Sequence, residues 1–158
     1  MPKARPAQLD SPIVGKVIKV ASRANTRLYR ATGGRLGGNW RIGAGFRKSV
    51  PICLLTTTGR RSGRPRTAPL LHMPDGDRVV LVASQGGLPR HPAWYHNIRA
   101  NPEVTVQVKR DVRRMRARTA SPDERAELWP RLLEVYADFD DYQSWTEREI
   151  PVVICDPA

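Results

Sequence analysis

From Ser11 to Ala31 the chain sets Ile13, Val17, Val20, Ala24 and Leu28 three or four residues apart, the recurrence that puts side chains on one face of an α-helix. Ser11 is placed to act as N-cap, and Pro12 falls at the first helical position, where a missing N–H leaves no bond unmade. Lys16, Lys19, Arg23, Arg27 and Arg30 occupy the other face. Such a helix either lies on an anionic membrane interface or packs its apolar stripe on the domain with the basic face in water. The following stretch, "TGGRLGGNWRIGAG", has no period and predicts a flexible linker or lid.

The texture changes at Val50. "PICLLTTT" and "TAPLLHM" read as strands, "RVVLVAS" follows the turn "PDGD", "EVTVQVK" and "VRRMRART" bracket a tight Arg110-Asp111 turn, and "PVVICD" is a last strand. Val104, Val106 and Val108 alternate with Thr105 and Gln107, as in a half-buried strand. Two helices interrupt the strands. Residues 93–100 form a short one ended by Asn101-Pro102. A second runs from Ser121 to about Phe139, opened by a capping box of Ser121 and Glu124 with Pro122 between them, and kinked or divided at Pro130. The expected class is therefore α+β: about six mostly antiparallel strands in a small barrel with flanking helices, rather than a parallel βαβ sheet. Residues 1–49 hold the amphipathic helix and glycine-rich stretch, and residues 50–158 the barrel.

Charge narrows the partner. Residues 1–74 carry 15 of the 27 Lys and Arg against a single acid, Asp10, while the remainder is nearly balanced. The asymmetry calls for an anion, whether nucleic acid, a membrane surface or a phosphorylated small molecule. No helix-turn-helix, zinc-finger or ribonucleoprotein signature accompanies it, which argues against nucleic acid. Cys53 and Cys155 lie in apolar runs outside any metal-ligand spacing and read as reduced core thiols of a cytosolic protein. No apolar run approaches the roughly 18 residues that span a bilayer, and the N-terminus has no apolar signal region.

Three stretches carry candidate chemistry. In "TTTGRRSGRPR" four arginines, Arg60, Arg61, Arg64 and Arg66, surround Ser62 and Gly63 with no nearby carboxylate, a loop able to offer forked guanidinium donors and backbone N–H groups to phosphate. "SQGGLPRHPAWYHN" combines two glycines with Trp94 and Tyr95, which are either core aromatics or the wall of a ligand site. In "YADFDDYQSW", Tyr136, Phe139 and Tyr142 recur on one helical face as core or as a pocket mouth. No phosphate-binding glycine fingerprint, hydrolase triad or metal site is expected, since His91 and His96 do not share a helical face and His72 stands alone.

Taken together, "LLTTTGRRSGRPRTAPL", "ASQGGLPRHPAWYHNIRANPEVTVQV" and "YADFDDYQSWTEREIPVVIC" resemble the deazaflavin-dependent nitroreductase and quinone reductase family of actinobacteria, which uses reduced coenzyme F420. The resemblance runs from about Leu9 to Asp156 and includes "LYRATGGRLGG". It implies a split β-barrel of the FMN-binding kind. By position it implies that Arg60, Arg61, Ser62 and Arg66 hold the coenzyme phosphate. Thr67, Ala68, Pro69, Leu70 and Leu71, with Val82, Ala83, Ser84 and Gln85, would border the deazaflavin, and Ala93, Trp94, Tyr95, His96 and Asn97 would complete the wall.

The implied reaction passes a hydride from the reduced deazaflavin to a menaquinone-like quinone or a nitroaromatic acceptor, with no metal. Ser84, Tyr136 and Tyr142 resemble the family's catalytic hydrogen-bonding groups, and Phe139 lines the acceptor side. Two departures stand out: Phe139 replaces a tyrosine, which favours quinones over nitroimidazoles, and Gln85 replaces a lysine that would grip the oligoglutamate tail. An FMN-using barrel and a non-catalytic carrier of the coenzyme at the membrane remain the alternatives. Either way the expected location is cytoplasmic, peripheral on the inner face of the cell membrane through residues 11–31.

Overall fold

The computed structural model describes residues 4, 5, 7, 11–40 and 49–158. Alternation in the sequence becomes sidedness in the barrel. Val104 and Val106 of β6 (Glu103–Val108), Met115 and Ala117 of β7 (Asp111–Thr119), Val79 and Leu81 of β5 (Arg78–Val82) and Val153 and Cys155 of β8 (Val152–Pro157) all enter one interior cluster. Where a strand is covered on both faces the alternation disappears. In β2 (Val50–Thr58), Cys53 and Leu55 point inward while Ile52 and Leu54 pack outside against Tyr29 of α1 (Pro12–Thr32), so "ICLL" is uniformly apolar.

Neighbouring strands pair antiparallel in the order β2, β6, β7, β8, β5, β4 (Met73–Asp75), and β3 (Pro65–Leu71) lies on the other edge of β2. β3 and β4 are one segment interrupted only at His72, pairing first with β2 and then with β5. This change of partner closes the ring and leaves no long free edge on that side. It is the split β-barrel of about six strands that the pattern and the resemblance imply. α2 (Ala93–Ala100) sends Trp94, Tyr95 and Ile98 into the interior cluster. α3 (Pro122–Val135) and α4 (Asp138–Ser144) cover the outside of β5 and β8 through Leu128, Leu132, Tyr136 and Phe139. Cys53 and Cys155 are buried and unbridged, and burial pushes the Cys155 thiol up to about 12.

The long C-terminal helix divides at Tyr136-Ala137, and α3 runs through Pro130. Proline removes one intrahelical donor, but Pro130 and Ala126 both face solvent, where water can satisfy the freed carbonyl. The capping box forms as expected, with Glu124 N–H donating to Ser121 Oγ at 3.2 Å and Ser121 N–H to Glu124 Oε1 at 3.0 Å. The β6–β7 turn is Lys109-Arg110, one residue ahead of the expected position, because Val108 pairs with Asp111 and so keeps the valines inward. The described half of the glycine-rich stretch is tied down rather than loose. β1 (Asn39–Trp40) pairs with the start of β2, and Ile52 N–H donates to the Gly38 carbonyl at 2.8 Å. Residues 41–45 of the expected lid lie outside the described residues.

At the partner switch, the His72 imidazole is buried and its Nδ1 has no hydrogen-bond partner among the described residues. Burial holds its pKa below the ordinary value of 6.5. The unfolded chain therefore takes up a proton that the folded chain refuses, and stability falls as pH drops through that ordinary value. His72→Gln is expected to flatten the decline in Tm between about pH 7 and pH 5; an unchanged slope would show that the other histidines carry it.

Candidate functional site

β2 and β3 pair from Ile52↔Leu71 to Thr58↔Pro65, leaving Gly59–Arg64 as a six-residue loop above a regular ladder. Its backbone closes on itself: Gly59 N–H donates to the Arg64 carbonyl and Gly63 N–H to the Gly59 carbonyl, both at 2.8 Å. Gly63 takes a φ of +66°, which costs a glycine little. Asn97 holds the loop from α2. Its Oδ1 accepts the Arg60 N–H at 3.1 Å, and its Nδ2 donates to Thr57 Oγ1 at 3.0 Å. Asn97 is buried, so both ends of its amide are spent on placing the loop. Ser62 Oγ accepts the Arg64 N–H at 3.2 Å and keeps its own proton to donate.

Arg60, Arg61, Arg64 and Arg66 are all exposed, and none has an acidic partner among the described residues. A fifth arginine joins them from α1: Arg30 Nη2 donates to Thr67 Oγ1 at 2.8 Å, and that hydroxyl also bonds Thr56 Oγ1 at 2.9 Å. His96 stands near Arg60, its pKa lowered first by burial and then by the Arg60 and Arg99 charges. Along β3, Ala68 and Leu70 turn toward the interior, Leu71 packs on the outer clusters and Pro69 is buried.

The second loop follows β5. Ala83 is in the core, Val82 packs outside, Ser84 is nearly buried and Gln85 is exposed with a φ of +45°. Arg148 grips this loop, donating from Nε to the Leu88 carbonyl at 2.9 Å, from Nη2 to the Ser84 carbonyl at 2.8 Å and from Nη1 to the Ala83 carbonyl at 3.3 Å. Nη1 also lies 3.0 Å from His91 Nδ1, which must be unprotonated to accept, as guanidinium only donates. Burial and the Arg148 charge keep the His91 pKa low, consistent with that role. Ala93 is exposed at the start of α2, whereas Trp94 and Tyr95 are core residues, the Tyr95 hydroxyl bonding Thr119 Oγ1 at 2.9 Å.

α4 rests on this loop. A Cβ at Gly87 would come within 2.7 Å of the Tyr142 carbonyl oxygen, so only glycine permits the approach. The hydroxyls of Tyr136 and Tyr142 are 3.0 Å apart, and burial raises both pKa values, keeping both phenols protonated at neutral pH. Tyr136 is buried and Tyr142 half-buried, so Tyr142 is the outer member. Phe139 is buried edge-on to Tyr136, ring centres 5.1 Å apart, within the aromatic cluster. The Ser84 hydroxyl enters no hydrogen bond among the described residues.

Residues 21–157 match the family described as F420H(2)-dependent quinone reductase. The chain belongs to this family. A Mycobacterium tuberculosis protein named for this reductase is 52% identical over 117 residues, covering 74% of this chain and 98% of its own length. Another F420H(2)-dependent quinone reductase of that organism is 41% identical over 135 residues, covering 84% and 87%. A solved F420H2-dependent reductase, FDR-A, superposes with a TM-score of 0.63 at 42% identity over 67% of this chain and 94% of its own. Membership makes the chain an oxidoreductase with coenzyme F420 as its cofactor. In this family member the sequence motifs pointed to the arginine loop and, through the resemblance, to Asn97, but not to Arg148, whose fork holds the second loop in place. Arg148 stands between Glu147 and Glu149, where it reads as one more compensated surface charge.

Proposed function

We propose that the enzyme passes a hydride from reduced coenzyme F420 to a quinone, with the arginine loop as the phosphate cradle. The observation that carries this is the set of exposed guanidiniums without acidic partners among the described residues, carried on a loop whose backbone Asn97 fixes in place. That donor set fits a phosphoester: forked N–H groups from Arg60, Arg61 and Arg66, a spare Ser62 proton, and Arg30 alongside. Bound there, the reduced deazaflavin supplies the hydride. The β3 segment and the Val82–Gln85 loop then form the walls, and Arg148 keeps the second wall from yielding.

On the acceptor side, Tyr142 is the group suited to meet a quinone oxygen. Where Tyr136 donates to Tyr142, the Tyr142 O–H is the one left to point outward, and Asp138 is a further hydrogen-bond partner of Tyr136. A hydroxyl held in this way can hydrogen-bond a developing oxyanion and hand over a proton, with Ser84 as a second donor. Mixing the protein with reduced coenzyme F420 and menadione, and following the oxidised coenzyme's visible absorbance, tests the reading. No turnover with either menadione or a longer-chain quinone would refute it.

The membrane reading gains support from the direction in which α1 faces. Among its described side chains only Tyr29 is buried, anchored by donating its hydroxyl to the Ile52 carbonyl at 3.0 Å. The apolar stripe points away from the barrel, with Ile13 73%, Val17 61% and Val20 66% exposed. Lys16, Lys19, Arg23, Arg27 and Arg30 flank it, the arrangement that seats a helix in an anionic interface. Among the described residues no helix is long and apolar enough to cross a membrane. Val17→Glu with Val20→Glu should abolish sedimentation with vesicles containing phosphatidylglycerol and leave menadione turnover intact; undiminished sedimentation would locate membrane contact elsewhere.

A further inference from the structure

A cavity of about 690 Å³ lies between the last turn of α1 and the β6–β7 turn, sharing only Arg30 with the arginine loop's surroundings. Arg30, Arg35, Arg110 and Gln107 line it together with Ala31 and Leu36, and no acidic side chain does. The acid nearest in sequence, Asp111, is engaged elsewhere, its carboxylate 3.3 Å from Arg113. Arg35 and Arg110 have no side-chain partner among the described residues.

The Arg110 stem packs against the end of α1. Gly33, the C-cap of α1, has a φ of +60°, and a Cβ there would stand 2.5 Å from Arg110 Cγ. The absence of that atom lets the Arg110 stem lie across the helix end with its guanidinium at the cavity. One cation at this place would complement the negative C-terminal end of α1. Three, with their charges converging on a hollow, exceed that need.

We propose that this cavity binds a phosphate group, and that its position assigns it to the headgroup of an anionic phospholipid. The inference rests on α1 docking to a bilayer as described above. Ala31 continues the outward stripe of Val17, Val20, Ala24 and Leu28, and it forms part of the cavity lining. Leu36, 57% exposed, borders the cavity from the following turn. A helix lying on the membrane by that stripe brings the cavity to headgroup depth with an apolar lip toward the acyl chains. Forked guanidiniums then meet the phosphate oxygens, and a phosphomonoester, with its extra charge and acceptor, is preferred to a diester.

The full chain is tested on phosphatidylcholine vesicles doped with phosphatidic acid or phosphatidylglycerol at matched surface charge. Wild type should bind phosphatidic acid about tenfold more tightly, the equivalent of one additional charge-assisted hydrogen bond. Arg35→Gln with Arg110→Gln should lose that preference, whereas Lys16→Gln with Lys19→Gln should weaken both lipids and keep it. Unchanged menadione turnover in the Arg35 and Arg110 variant verifies that it is folded. Vesicle binding without any lipid preference, or equal loss in both double variants, overturns the cavity site while α1 docking stands. Absence of vesicle binding by wild type overturns the docking and the lipid assignment together. Thermal stabilisation by inorganic phosphate at constant ionic strength that needs Arg35 and Arg110, with no lipid preference, would give the site to a soluble phosphorylated ligand instead.

Discussion

Replacing Arg60 and Arg66 together by alanine is expected to raise the KM for reduced coenzyme F420 by about 100-fold. Each hydrogen bond from a guanidinium to a phosphate oxygen contributes about 1.5 kcal/mol at an exposed site, and about 3 kcal/mol in all corresponds to two decades. The loop itself should survive the change. Its hydrogen bonds run through backbone atoms, Asn97 and Ser62, and none uses these two side chains. At saturating coenzyme, kcat should fall much less than kcat/KM, since the arginines bind rather than react. Steady-state kinetics at two salt concentrations check this. A KM that stays within about twofold of wild type would show that the phosphate sits elsewhere and that the loop is a solvated turn.

Arg148→Met is expected to have the largest structural effect. It removes the donors to the carbonyls of Ala83, Ser84 and Leu88, and at about 1 kcal/mol for each partly buried acceptor the loss is about 3 kcal/mol. Urea unfolding measures it. Activity should fall further than stability predicts, because the loop beneath α4 loses its fixed distance to Tyr142. Arg148→Lys should rescue little, as a single ammonium cannot span three carbonyls. Full turnover by a stably folded Arg148→Met enzyme would remove the Val82–Gln85 segment from the proposed deazaflavin wall.

Strand existence was legible because half-buried strands alternate, as at Val104, Val106 and Val108, and the capping box at Ser121 announced a helix start through its own hydrogen bonds. These are local signals. Pro130 misled because the consequence of a missing N–H depends on whether water reaches the freed carbonyl, which a linear pattern does not encode. The apolar stripe of α1 was equally visible, but periodicity says which residues share a face and nothing about where that face points. Its outward direction follows from Tyr29, whose hydroxyl is fixed by β2 on the opposite side of the helix. For the candidate site, the arginine loop was legible as a run of uncompensated charge. Asn97 was legible only through the resemblance and Arg148 not at all, since their importance lies in which backbone atoms the fold brings to them.

The proposed docking of the outward α1 stripe would also change how encounters with substrate are counted. Riding on a bilayer by Ile13, Val17 and Val20 as proposed, the enzyme would meet a lipid-borne quinone by lateral diffusion in two dimensions, and its rate would track the mole fraction of quinone in the membrane rather than its amount per volume. Diluting the vesicles while holding their composition fixed would then leave turnover per bound enzyme unchanged, and diluting the quinone with inert lipid would slow it.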